Sequence, residues 1–146
     1  MLKAYLSLAI ILTSFIGFSA PQKNSYDYYI IFVGEFENDK ISLAINRKHI
    51  VDNYRLENID PSRRGNLSIT QQDDYITIAY NGKEIKRSKV FVDFDLSLDI
   101  SVNDRKNAFR VNLKKGKVIL VDYTPKTEAT KKVLSIEQLQ EPLLLI

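Results

Sequence analysis

The sequence has no cysteine and no tryptophan, and only one histidine, five glycines and four prolines among its 146 residues. Without cysteine no disulfide can staple the fold and no lipid can be carried on an N-terminal thiol, so a folded domain has to be held by burial alone. With a single histidine besides, a structural zinc site is excluded, because its ligands come chiefly from those two residue types. The lone imidazole, His49, follows an Asn-Arg-Lys turn and reads as a solvent-facing hairpin residue rather than a catalytic base. No nucleophile and base stand at a telling spacing, so no catalytic residue is assigned and the chain is expected not to be an enzyme. An excess of one charge is lacking too: 21 basic residues face 18 acidic ones, interspersed along the chain, for a net charge of +3. A balanced surface of this kind does not point to nucleic acid, which wants a concentrated basic face.

Long apolar runs are missing except at the start. Lys3 precedes an apolar stretch over residues 4–18, and Gly17-Phe18-Ser19 offers small residues at cleavage positions. This predicts a signal peptide over residues 1–19, cut before Ala20, since a later cut would set Pro21 beside the scissile bond. About 15 apolar residues fall short of the roughly 20 that a spanning helix needs. The expectation is therefore an exported protein, periplasmic or extracellular, with no stable membrane insertion of the mature domain. A flexible arm over residues 20–27, a β domain over residues 28–124 and a C-terminal segment over residues 125–146 would follow.

What the chain does have is alternation. Residues 90–102, VFVDFDLSLDISV, place Val90, Val92, Phe94, Leu96, Leu98, Ile100 and Val102 at every second position, with Asp93, Asp95, Ser97, Asp99 and Ser101 between them. Successive strand side chains point to opposite faces, so one face is apolar and the other acidic and hydroxylic. As one extended piece it would span roughly 40 Å, twice the usual strand, which predicts a bend near residues 96–98 and pairing with residues 83–87 before it and residues 108–113 after it. Residues 28–33, YYIIFV, form a continuous apolar run, short enough for a strand buried on both faces. Further strands are expected at residues 41–45, 49–57, 67–70, 75–80, 83–87, 108–113 and 118–121. Asn81-Gly82 is the clearest local signal, a dipeptide suited to the positive φ of a type I′ hairpin. Lys114-Lys115-Gly116 reads as a three-residue hairpin loop with Gly116 in the left-handed region. Residues 126–140 are compatible with a helix or with an edge strand.

The segment ISLAINRKHI (41–50) lies over ITIAYNGKEI (76–85), and more weakly over LDISVNDR (98–105), so that Asn46, Asn81 and Asn103 coincide. Duplication could produce this recurrence; the favoured reading is independent convergence of hairpins on Asn turns, because Asn tolerates the left-handed region and bonds its own backbone.

These patterns predict an all-β, antiparallel β-sandwich of immunoglobulin-like or jelly-roll type, with about eight or nine strands after the signal peptide. Two groups of residues could carry function. Asp93, Asp95 and Asp99 share one strand face and could start a calcium site, which needs several oxygen ligands; the bland reading is a solvated face partly neutralised by neighbours such as Arg110. Tyr54, Tyr75 and Tyr80 could form an aromatic ligand platform. Lys83, Lys86, Arg87, Lys89, Lys114, Lys115 and Lys117 fall near hairpin tips and read as edge guards. The expected function is a binding module for a protein or glycan partner at the cell envelope, without catalytic activity and without a cofactor. The alternatives are a small outer-membrane β-barrel, which also alternates, and a calcium-dependent sandwich protein.

Overall fold

A computed structural model describes residues 27–57, 67–90, 94–125 and 131–140. The expected leader, nearly all of the arm, the Pro61-containing loop and Asp93 lie outside the described residues. Among the described residues ten strands form, where eight or nine were expected: β1 (Tyr28–Gly34), β2 (Glu37–Ile45), β3 (Lys48–Glu57), β4 (Leu67–Gln72), β5 (Tyr75–Tyr80), β6 (Lys83–Lys89), β7 (Asp95–Val102), β8 (Arg105–Asn112), β9 (Val118–Pro125) and β10 (Lys132–Leu139). They make a six-stranded sheet in the order β10-β9-β1-β4-β5-β6 and a four-stranded sheet in the order β3-β2-β7-β8.

Period-2 patterning explains why the two sheets face each other. Tyr28, Ile30 and Phe32 of β1, Leu67 and Ile69 of β4, Ile76 and Ile78 of β5, and Ile119, Val121 and Tyr123 of β9 are buried on one side. Ile41, Leu43 and Ile45 of β2 with Leu96, Leu98, Ile100 and Val102 of β7 are buried on the other, and all join one core cluster. Fully burying each such aliphatic side chain contributes about 1.5–3 kcal/mol, which is how a chain without disulfides holds together. The all-β sandwich read from the sequence is thus the fold. Its apolar residues meet between two sheets that each keep two edges, whereas a membrane barrel is one closed sheet with its apolar residues outward, so the barrel alternative is set aside.

Several local expectations are corrected. The ladder between β1 and β9 is parallel, while all the others are antiparallel. β1 is not buried on both faces: Tyr29 is 42% exposed on the outer side, and Ile31 and Val33 are only half-buried. The long alternating stretch divides before Asp95, not at residues 96–98, because Val90 caps the six-stranded sheet and β7 belongs to the other. β7 pairs with β2 and β8, and β6 pairs with β5. Residues 113–117 are a crossover between sheets, not a hairpin. Gly116 is not left-handed; it is small because a Cβ there would collide with the Leu139 carbonyl. The C-terminal segment takes the strand alternative as β10, antiparallel to β9.

The Asn recurrence has a structural meaning, though not in its strongest sequence copy. Asn46 and Asn103 end β2 and β7, and the two turns have the same backbone, φ 48° and 67° at Asn46-Arg47 and at Asn103-Asp104. Each Asn reaches across to the neighbouring strand. Asn46 accepts from Ser97 N at 2.8 Å and donates its own N–H to Ser97 O at 2.9 Å. Asn103 accepts from Lys40 N and donates its own N–H to Lys40 O, both at 2.9 Å. With Leu43 opposite Ile100 at the centre of the β2–β7 ladder, the β2–β3 and β7–β8 hairpins are related by a local twofold. Asn81 belongs to the other sheet and makes only the hairpin turn, with φ 49° and 76° at Asn81-Gly82.

Candidate functional site

The strand face that the aspartates share is the outer face of the four-stranded sheet. Asp95 and Asp99 are both exposed there, four residues apart on β7, or about 13 Å at strand rise. The ladder sets Arg110 of β8 opposite Ser97, diagonal to both carboxylates. No group of three or more potential metal-ligating His, Cys, Asp or Glu side chains occurs among the described residues. Two carboxylates at that separation cannot share one calcium ion with ligand distances of about 2.3–2.6 Å, so the described residues give the calcium reading no site. A shallow hollow of about 380 Å³ does lie over this face. Its floor is Ser42, Ala44, Asp99 and Ser101, and Arg47, His49 and Lys106 rim it. It exists because the residues that face outward on β2 and β7 are small, while longer side chains flank them. His49 is exposed, as expected.

The three tyrosines divide. Tyr75 stands on the outer face of the six-stranded sheet, 41% exposed, with the Arg87 guanidinium 4.6 Å from its ring centroid. Tyr54 and Tyr80 come from opposite sheets and meet: their centroids are 5.4 Å apart with the rings inclined at 68°, an edge-to-face pair. The register explains the meeting. Tyr54 lies opposite buried Ile41 and Tyr80 opposite buried Leu67, so both rings point inward, at the margin where β3 ends one sheet and β6 ends the other. Both remain half-buried against the core. Burial first, and the Tyr80 phenol second, push the Tyr54 hydroxyl above its ordinary value.

The seam between β3 and β6 is lined by lysines. β6 runs past the cover of the smaller sheet, leaving every one of its residues exposed except half-buried Ser88. Lys86 lies opposite Ile78 and Lys83 opposite Tyr80, so their stems follow the inward face of this overhang. Lys86 Nζ donates to the Ile50 carbonyl of β3 at 3.3 Å, and Lys48 Nζ donates the other way, to the Lys89 carbonyl, at 3.1 Å. Arg47, Lys48, Lys83, Lys86 and Arg87 make no ion pair with a described carboxylate. Two of these bind carbonyl oxygens instead, so no described carboxylate cancels their charge. Along the seam, then, a tyrosine pair follows two lysine bridges, with the Lys83 ammonium, which has no partner among the described residues, beside Tyr80.

Sequence reasoning paired Tyr54 with Tyr80 on residue type alone and missed the lysines, which it assigned to edge protection. That role holds for the outer edge of β6. The signal that could have exposed the second role was the basic character of both candidate edges, Arg47-Lys48-His49 and Lys83 to Lys89; what the sequence could not supply was that these edges lie on the same side of the sandwich. No protein-family model, no curated protein and no solved structure matches this chain.

Proposed function

We propose that this protein is a non-catalytic binding module of the cell envelope, exported by its N-terminal leader, which holds its ligand along the seam between β3 and β6. The observation that carries this reading is the Tyr54–Tyr80 pair, partly exposed between two sheets beside cations that no described carboxylate neutralises. Amphipathic rings held rigid by a β framework contribute contact area at low entropic cost, and ammonium groups beside them supply donors. Rings and ammonium groups set side by side on a rigid framework fit recognition of a ligand's surface.

A glycan array probed with the mature protein tests this directly. Binding that disappears in Tyr54→Leu and Tyr80→Leu, with the melting temperature of each variant within a few degrees of the parent, is the expected result. Leucine keeps the apolar contact with the core and removes the ring and hydroxyl. Binding that survives both substitutions would place the ligand elsewhere, with the hollow over Asp99 as the next site to test.

A further inference from the structure

We infer that the ligand held in the β3–β6 seam is an anionic polysaccharide, a chain of sugars bearing carboxylate or sulfate groups. This rests on the proposed binding role of the seam and names its ligand class.

The charge distribution carries it. Over the whole chain the net charge is only +3, yet the two strands that border this seam hold Lys48, Arg55, Lys83, Lys86, Arg87 and Lys89 against Asp52, Glu57 and Glu84. Of these, Lys48, Lys83 and Lys86 line the seam, whereas Arg87 stands over Tyr75 on the outer face of the larger sheet; folding thus brings three ammonium groups together there. Arg47 and His49, which flank Lys48 in the chain, rim the hollow on the outer face of the smaller sheet, so the basic surface continues around the corner of the sandwich. Like charges gathered on neighbouring elements repel one another, and a bound polyanion relieves that repulsion while releasing its own counterions.

Geometry narrows the polyanion to a sugar chain. Tyr54 and Tyr80 meet edge to face and are half-buried, so neither offers the open flat ring on which successive nucleobases stack. Half-buried, they leave part of an amphipathic aromatic surface in reach, suited to the mixed apolar and hydroxylic surface of a pyranose. Lys83 and Lys86 stand alongside, opposite Tyr80 and Ile78, where they can reach acidic substituents of the same chain. Lysine suits this contact as a compact charge with three rotatable donors, tolerant of how each acidic group is presented.

The experiment is a titration of the mature protein with polygalacturonate, dextran sulfate and neutral dextran, each at 50 and 300 mM salt. It is repeated with Tyr54→Leu and with the double variant Lys83→Gln/Lys86→Gln, in which glutamine removes charge but keeps donors. Melting temperatures confirm that each variant is folded. We expect at least one anionic polymer to bind, at least tenfold more weakly at the higher salt, with about a tenfold loss in the double variant and a further loss in Tyr54→Leu. Preference between polygalacturonate and dextran sulfate then separates carboxylate from sulfate recognition. Equal, salt-independent binding of neutral dextran that Tyr54→Leu abolishes would overturn the anionic assignment and leave the seam as a binding site. Anionic binding untouched by every variant would overturn both. Failure to bind any of the three polymers, or displacement of a bound polymer by a lower concentration of single-stranded DNA or of anionic phospholipid vesicles, would also overturn the assignment.

Discussion

Tyr28 is the residue where the core is most easily improved. Its side chain is fully buried at the start of β1, and among the described residues its hydroxyl has no hydrogen-bond partner, nor has Oε1 of Gln71, the residue opposite it on β4. Gln71 spends its amide instead on the Asp73 and Val90 carbonyls, at 2.8 and 3.3 Å. A buried polar atom left unpaired forfeits its hydration without compensation, so we expect Tyr28→Phe to stabilise the fold by about 1 kcal/mol, measured by urea denaturation at pH 7. The same residue governs alkaline behaviour. Burial holds the Tyr28 hydroxyl well above its ordinary value of 10.0; the unfolded chain therefore ionises first as pH rises. Ionisation of this group leaves the stability of the parent fold unchanged below about pH 10 and lowers it progressively above, toward the folded-state value. Tyr28→Phe should flatten that decline between pH 9 and 11, with Tyr54, shifted in the same direction, accounting for part of what is left. Asn103 makes the opposite case. It bonds Lys40 N and Asp39 Oδ1, and Asp39 is buried and also accepts from Glu37 N. Asn103→Ala removes these bonds and the turn preference together, so a loss of about 1–3 kcal/mol is expected, larger than for Asn81→Ala, which gives up the turn preference alone.

At the scale of elements, the connection between the sheets at residues 113–117 is set by close approach. A Cβ on Gly116 would meet the carbonyl of Leu139, and Gln138 Nε2 donates to the carbonyls of Asn112 and Gly116, both at 2.6 Å. These contacts fasten β10 to the end of β8. We expect Gly116→Ala to destabilise by about 1–3 kcal/mol and to raise hydrogen exchange first in β10, which NMR would resolve strand by strand. The example also shows what was legible in the sequence. Alternation at residues 90–102 and 108–113 revealed β7, β8 and which of their faces is buried, because a period of two is a local property. Asn81-Gly82 revealed its hairpin for the same reason. Partnership was not local. Gly116 was misread because a glycine that permits a turn and a glycine that admits a neighbouring backbone have the same composition, and only the position of β10 distinguishes them. β6 was joined to β7 because they are adjacent in sequence, although one lies in each sheet. The Tyr54–Tyr80 meeting depended on two registers in different sheets, β2–β3 and β4–β5, and no spacing between residues 54 and 80 encodes it.

For the molecule as a whole, the arrangement of sheets determines what each face can do. The outer face of the four-stranded sheet carries Asp95 and Asp99 too far apart to share an ion, so a chelator should leave the melting temperature unchanged within about 1 °C, since a structural ion bound only to the folded state would raise it. The seam between β3 and β6 gathers a tyrosine pair with Lys48, Lys83 and Lys86, which the sequence scatters over residues 48–86, and the functional reading rests there. Backbone amide shifts during a titration with a short galacturonate oligosaccharide test it most directly. The expected result is that perturbations centre on Tyr54, Tyr80, Lys83 and Lys86 and vanish in Tyr54→Leu; perturbations confined to Ala44, Asp99 and Lys106, or none at all, would contradict it.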